Sequence, residues 1–312
     1  MTKLTEFSFP STCGKVQLHA FAWIPQRDIV GIVQLAHGIA EHVARYDHLA
    51  RYLNTQGFVV VGHDHLGHGD SLPSGGQLGY LGEGNTWETM VDDIHALTER
   101  IRGKYPGLPL FLLGHSMGSF LMRSYLITYP DAADGAILIG TAWQPAALLD
   151  AGLAATALFA RLSGPASVSP KVTNLIFGAY NRRFAPNRTN CDWLSADEEN
   201  VDECMADPLC GTHASTVSLL HEMLRGLQFN QRSDNLRRMN KRTPVFFAAG
   251  GDDPVGNMSK GVKKSYEAFL EVGMEDVSMQ IYPGLRHEIH NEKAHRPTVY
   301  GDISGWLLTH LK

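Results

Sequence analysis

Short runs of apolar and β-branched residues alternate along this chain with longer stretches whose apolar positions recur every three or four residues. The runs at 58–61, 110–113, 136–139, 244–249 and 277–282 have the length and make-up of buried strands. Residues 16–24 and 29–36 read as an opening hairpin that turns through 25–28. Helical periodicity covers 43–55, 86–102, 116–129, 259–271 and 297–311. Strand, helix, strand, helix in this order predicts an α/β protein: a mostly parallel sheet with helices on both faces.

The alternation lapses between about 141 and 238. That region keeps helical pattern but has few strand-like runs, and it is punctuated at Gly164-Pro165, Ser169-Pro170 and Pro186-Asn187. Val217, Leu220, Leu224 and Leu227 share one helical face, which predicts an amphipathic helix over 214–229. The strand pattern resumes at Pro244. We therefore expect a core built from 1–141 and 236–312 and an α-helical cap, or lid, over 142–235. Such an insertion belongs above the carboxyl edge of the sheet, where open α/β sheets bind ligands. The most apolar stretch, AALLDAGLAATALFARL at 146–162, is short for a membrane span and carries Asp150 and Arg161, so a helix packed on protein is expected. Plain packing is the expected role of the 214–229 face, with lining a ligand pocket the alternative for it and for 146–162, and the apolar cap is the expected place of any transient contact with a lipid surface.

Composition narrows the partners. With 44% hydrophobic and 19% charged residues the chain can bury a sizeable core, and its net charge of −5 argues against a nucleic-acid footprint. The segment Met1-Thr2-Lys3-Leu4-Thr5-Glu6-Phe7 lacks the pattern of a secretory signal. Four cysteines, Cys13, Cys191, Cys204 and Cys210, fit no C-x-x-C spacing, so free thiols in a reducing cytoplasm are expected. A disulfide among the last three is the alternative.

The chemistry centres on Gly114-His115-Ser116-Met117-Gly118. This G-x-S-x-G pattern arises by chance in roughly one chain of this length in ten, but here it follows a strand run and opens a helix. That context forces a serine into a sharp turn that lifts its hydroxyl clear of the sheet, with glycines where a Cβ would collide. A nucleophilic Ser116 needs a base and an orienting acid, supplied later in the chain in the order Ser, acid, His. His287 sits just past the last strand run and is the base expected. After the run ending at 249 come Asp252 and Asp253; Asp253 is preferred because it lies further past the strand, with Asp252 as the alternative. Acyl transfer also needs donors for the developing oxyanion. The Met117 amide, next to the nucleophile, is one. The loop His37-Gly38-Ile39 after an early strand supplies the other at the Ile39 amide, with Gly38 allowing close approach.

Other polar clusters read as structure. His63-Asp64-His65-Leu66-Gly67-His68 puts Gly67 where a metal-binding run of this kind needs an aspartate, and His287-Glu288-Ile289-His290 is one residue short of H-E-x-x-H; no metal is expected. Glu41, His42, Arg45 and Tyr46 read as a polar brace for the 37–42 loop, with a Glu41–Arg45 pair across one turn. His115 is expected to be structural.

Three of these segments, His37-Gly-x-x-Glu41-His42-x-x-Arg45-Tyr46, then Asp64-His65-x-Gly67-His68-Gly69-x-Ser71, then the pentapeptide around Ser116, together resemble the pattern of monoacylglycerol lipase and lysophospholipase-like hydrolases. The resemblance implies an α/β-hydrolase with a helical cap that cleaves esters of lipid-like acyl chains without a cofactor, with acid and base at Asp253 and His287. Two alternatives keep the same residues: a short-chain or aromatic carboxylesterase, and a hydrolase of amides or peptides. A ligand-binding protein without catalysis is a third, since fold does not fix function.

Overall fold

A computed structural model of the protein describes residues 2–73, 75–211 and 215–311. Its strands are β1 (Thr2–Pro10), β2 (Gln17–Pro25), β3 (Gly31–Ala36), β4 (Phe58–His63), β5 (Leu110–His115), β6 (Gly135–Ile139), β7 (Val245–Gly250) and β8 (Val277–Tyr282). Its helices are α1 (Asp47–Thr55), α2 (Thr86–Lys104), α3 (Met117–Thr128), α4 (Ala146–Ser163), α5 (Pro170–Phe177), α6 (Glu198–Ala206), α7 (Val217–Asn230), α8 (Ser233–Leu236), α9 (Lys260–Glu271) and α10 (Arg296–Thr309). The strands form one sheet in the order β1-β2-β4-β3-β5-β6-β7-β8, parallel from β4 to β8.

Period two along each central strand divides the core between two faces. Leu110 and Leu112 of β5 join one apolar cluster with residues of α2, α3 and α9. Phe111 and Leu113 join the other, with residues of α1 and α10. Strands covered on both sides are largely apolar, as β3 to β7 are; the buried Gln34 in β3 is satisfied by the Ile94 carbonyl and the Thr98 hydroxyl.

The expected hairpin between 16–24 and 29–36 does not form. β2 pairs antiparallel with β1 and with β4, and β3 lies beyond β4, parallel to it. Burial explains the order. All six residues of β3 are buried, so it needs an interior place, whereas β2 alternates buried and half-buried positions suited to the rim. β1 was not expected at all. It is an edge strand, mostly exposed apart from Phe9, and offers no apolar run.

Helices α4 to α8 lie between β6 and β7. α7 begins at Val217, and Ala214 of the expected helix lies outside the described residues. α7 is part of the main core: Gly226 packs so closely on the Trp87 indole that a Cβ would come within 2.0 Å of it. Buried bonds from Trp87 N to Glu222 (3.0 Å) and from Asn230 Nδ2 to the Phe120 carbonyl (2.7 Å) fix α7 to α2 and α3. α4 is less covered than expected. Leu149 and Thr156 are its only buried residues, and Leu158 and Leu162 point outward.

Imidazoles crowd one buried place at the ends of β3 and β4. The His37 ring lies 4.1 Å from that of His65 and 5.3 Å from that of His68, and His63 packs edge-on against His65 and Phe9. Neither His63 ring nitrogen has a partner among the described residues. Burial pushes His63 down to about 4 and His37 down to about 3. The unfolded chain, with histidines near 6.5, then binds more protons between pH 6.5 and 4, so stability falls as the pH drops through that window. Replacing His63 by Phe is expected to flatten the slope of unfolding free energy against pH there by one proton's worth, about 1.4 kcal/mol per pH unit. Urea unfolding at a series of pH values measures it; an unchanged slope contradicts a neutral, buried His63.

Candidate active site

Ser116 stands between β5 and α3 with φ 53° and ψ −122°, a left-handed conformation costly for a residue with a Cβ, by about 1–3 kcal/mol. Its amide donates to the Ile139 carbonyl (2.9 Å), and its own carbonyl accepts from the Ser119 amide (2.9 Å) and hydroxyl (2.6 Å). The turn fits only because two neighbours lack side chains. A Cβ on Gly114 would sit 2.4 Å from the Gly118 carbonyl oxygen, and one on Gly118 would sit 2.1 Å from that of Ala36. The first turn of α3 thus lies directly on β3, and the Met117 N–H is among the first amides of the helix, without an acceptor inside it.

His287 follows β8 and is buried. Its Nδ1 lies 2.9 Å from Asp253 Oδ2, and the other oxygen of that fully buried carboxylate accepts the Val255 amide at 2.8 Å. The structure brings Asp253 to His287, while Asp252 is half-buried and has no side-chain bond to it. Burial pulls the His287 imidazole down, but the charge and hydrogen bond of Asp253 outweigh it and hold it above its ordinary value. Ser116 and His287 line the same cavity. The Ser116 hydroxyl has no hydrogen-bond partner among the described residues, as is common for a nucleophile whose contact to its base tightens only when substrate binds.

The loop after β3 comes against Ser116: a Cβ on Gly38 would lie 3.3 Å from Ser116 Cβ. The His37 ring holds this loop. Its Nε2 accepts the His65 amide at 2.9 Å, so Nδ1 carries the proton and donates to the Gly38 carbonyl at 2.8 Å. The Ile39 amide has no protein acceptor among the described residues, and Ile39 lines both cavities that open on Ser116. Ala40 next to it has a positive φ of 55°.

The polar residues around this loop form one buried network. Glu41 Oε1 accepts the Gly38 amide (2.5 Å), the Tyr46 hydroxyl (2.9 Å) and His115 Nδ1 (3.2 Å), and Oε2 accepts from Arg45 (2.8 Å). Arg45 also grips both oxygens of Glu288, at 2.8 and 2.9 Å. Burial would raise the Glu41 carboxyl, but His115 and Arg45 hold it well below the usual range. Glu288 is likewise drawn down, to about 2, by Arg45. His115 Nε2 reaches the His287 carbonyl (3.3 Å). Sequence reasoning found the Glu41–Arg45 pair but missed Glu288, since a contact 243 positions away leaves no local periodicity.

Nor were the residues of the insertion that reach the site foreseen. The Trp193 ring lies 5.3 Å from that of His287, Phe177 stacks on Trp193, and both line the cavities at Ser116. Asn200 of α6 donates to Glu288 at 2.9 Å. One cavity, about 1200 Å³ with its mouth, runs from Ser116 between α4, α5 and α7, lined by Leu148, Leu149, Ile176, Leu224 and Leu227. The other, about 610 Å³, adjoins Glu41, Arg45 and Ser215. The four cysteines are free thiols.

A family model described as serine aminopeptidase, S33, matches residues 27–294. The chain is 30% identical to the monoacylglycerol lipase of Mycolicibacterium smegmatis over 310 residues, 98% of each chain. It is 28% identical to the monoglyceride lipase of Homo sapiens over 286 residues, 91% of this chain and 84% of that one. Among solved structures, the thermostable carboxyl esterase from Bacillus coagulans in complex with glycerol superposes with a TM-score of 0.92 at 29% identity, covering 100% of both chains.

The network makes Glu41 costly to remove. Glu41→Ala strands the Gly38 amide, the Tyr46 hydroxyl and one side of Arg45 in the interior. It is expected to lower unfolding free energy by about 3–5 kcal/mol, read from urea titration; a loss under about 0.5 kcal/mol contradicts the network.

Proposed function

The chain belongs to the serine aminopeptidase S33 family of hydrolases, and from that premise we propose that it cleaves carboxylic esters of lipid-like substrates through an acyl-enzyme on Ser116. In this reading His287 takes the Ser116 proton as Oγ attacks the ester carbonyl. Asp253 holds the imidazole with its proton on Nδ1, so that Nε2 is the free base, and steadies the imidazolium that forms. The Ile39 and Met117 amides receive the oxyanion. His287 returns the proton to the departing alcohol, then activates water to release the acid and free Ser116. No cofactor enters the cycle.

The observation that carries the reading is the apolar cavity opening on Ser116. Its lining is mostly apolar, with Gln144 and Tyr180 among its few polar side chains, and suits an acyl chain. On the other side Ser215, whose buried hydroxyl has no hydrogen-bond partner among the described residues, lines the smaller cavity and suits the hydroxyls of an alcohol such as glycerol. The monoacylglycerol lipase likeness points the same way.

The family description favours comparison with a second substrate, a peptide N-terminus. Such a substrate needs a carboxylate for its α-ammonium beside the nucleophile. The carboxylates lining these cavities are Glu41 and Glu288, and Arg45 already occupies both. An uncharged ester fits better. Outward-facing Leu158 and Leu162 of α4 are where the insertion would touch a lipid surface during substrate uptake.

A graded ester panel tests this. Each methylene taken out of water contributes about 0.8 kcal/mol, so kcat/KM should rise about fourfold per methylene until the cavity is full. Monoacylglycerols and p-nitrophenyl esters of increasing chain length, with Ser116→Ala as blank, are expected to peak at medium or long chains and to outrun an amino-acid arylamide. A peak at acetate, or preference for the arylamide, overturns it.

A further inference from the structure

The loop after α6 meets the loop after β3 through a second cluster of ligand-type side chains. His42 Nε2 and Asp207 Oδ2 are 2.8 Å apart, and with Cys210 Sγ these donor atoms all lie within 4.8 Å of one another. His42 and Asp207 remain partly open to solvent, with side-chain exposures of 13% and 27%, so an ion has a way in.

We propose that His42, Asp207 and Cys210 form a three-ligand binding site for a thiophilic divalent cation of the Zn²⁺ type, with solvent in the fourth position. One imidazole, one carboxylate and one thiolate with a water are a donor set that Zn²⁺ takes in tetrahedral array. Ligand atoms around such an ion stand roughly 3.3–3.8 Å apart, so the cluster need close by only about 1 Å. On ligation the Cys210 thiol gives its proton to solvent and its sulfur bonds the metal, while the His42–Asp207 hydrogen bond breaks and the His42 proton moves to Nδ1, freeing Nε2 and Oδ2 as donors. A second grouping, His19, Asp64 and Asp70, also converges, but both Asp64 oxygens are already held, by the Val43 and Asp70 amides.

The position gives occupancy a consequence. The Gly211 amide already donates to the Ala40 carbonyl at 2.9 Å. An ion bridging His42 to Asp207 and Cys210 adds a second staple between the insertion and the loop that carries Ile39. Binding itself stands whether or not Ile39 serves an oxyanion.

The protein, freed of metal with a chelator, is titrated with Zn²⁺ by calorimetry and with Co²⁺ by absorption. One equivalent of Zn²⁺ should bind and raise the melting temperature, and Co²⁺ should give a thiolate-to-metal charge-transfer band. Cys210→Ser should abolish the band, and His42→Gln should weaken Zn²⁺ binding by at least about tenfold, the size even of second-layer losses at zinc sites. Metal-free melting temperatures of both variants establish that they fold. Absence of saturable binding in the wild type, or equal affinity in wild type and both variants, overturns the site.

Discussion

The Glu41 carboxylate is the interaction on which the arrangement around Ser116 depends. One side chain accepts from the loop after β3, from the turn that carries the serine and from Arg45, and Arg45 in turn holds Glu288, the residue next to His287. The loop, the Ser116 turn and the segment of His287 are thereby fixed relative to one another by charge-assisted bonds in the protein interior, where such bonds are strong and their partial loss is costly. Two acids around one guanidinium explain why both carboxylates stay ionised in the interior. Asn200 extends the same network into the insertion.

Around this anchor the backbone carries its strain in two adjoining places, Ser116 and Ala40, both with positive φ. Each is over-determined by its surroundings: the serine by the Ile139 carbonyl and by contact of Gly118 with β3, the loop by His37, Gly38 and the Gly211 amide. Strain of this kind persists only where neighbours impose it. Its effect here is to hold the Ser116 turn and the Gly38–Ala40 loop against one another.

Much of this was legible in the residues, for physical reasons that also mark where legibility ends. Strands covered on both faces are largely apolar runs, so β4 to β7 stood out, and a serine forced into a sharp turn needs glycines on either side, so Gly114 and Gly118 did too. β1 did not stand out, because an edge strand bonds through its backbone and leaves its side chains free to be polar. The order of the first strands went wrong because nearness in sequence suggested a hairpin where the burial of β3 demanded an interior place. His287 and Asp253 were readable from their position after strands, whereas Glu288, Asn200 and Trp193 reach the site only through folding of distant segments. Their roles depend on a partner, and a partner far along the chain leaves no periodic trace.

The central claim is that Ser116, activated by His287, forms the acyl-enzyme. Covalent labelling with a fluorophosphonate, followed by intact mass and peptide mapping, tests it most directly. The account predicts one adduct per chain, on the peptide containing Ser116, formed far more slowly in His287→Ala. An adduct on another residue, or ester turnover that persists with Ser116 unlabelled, would contradict it.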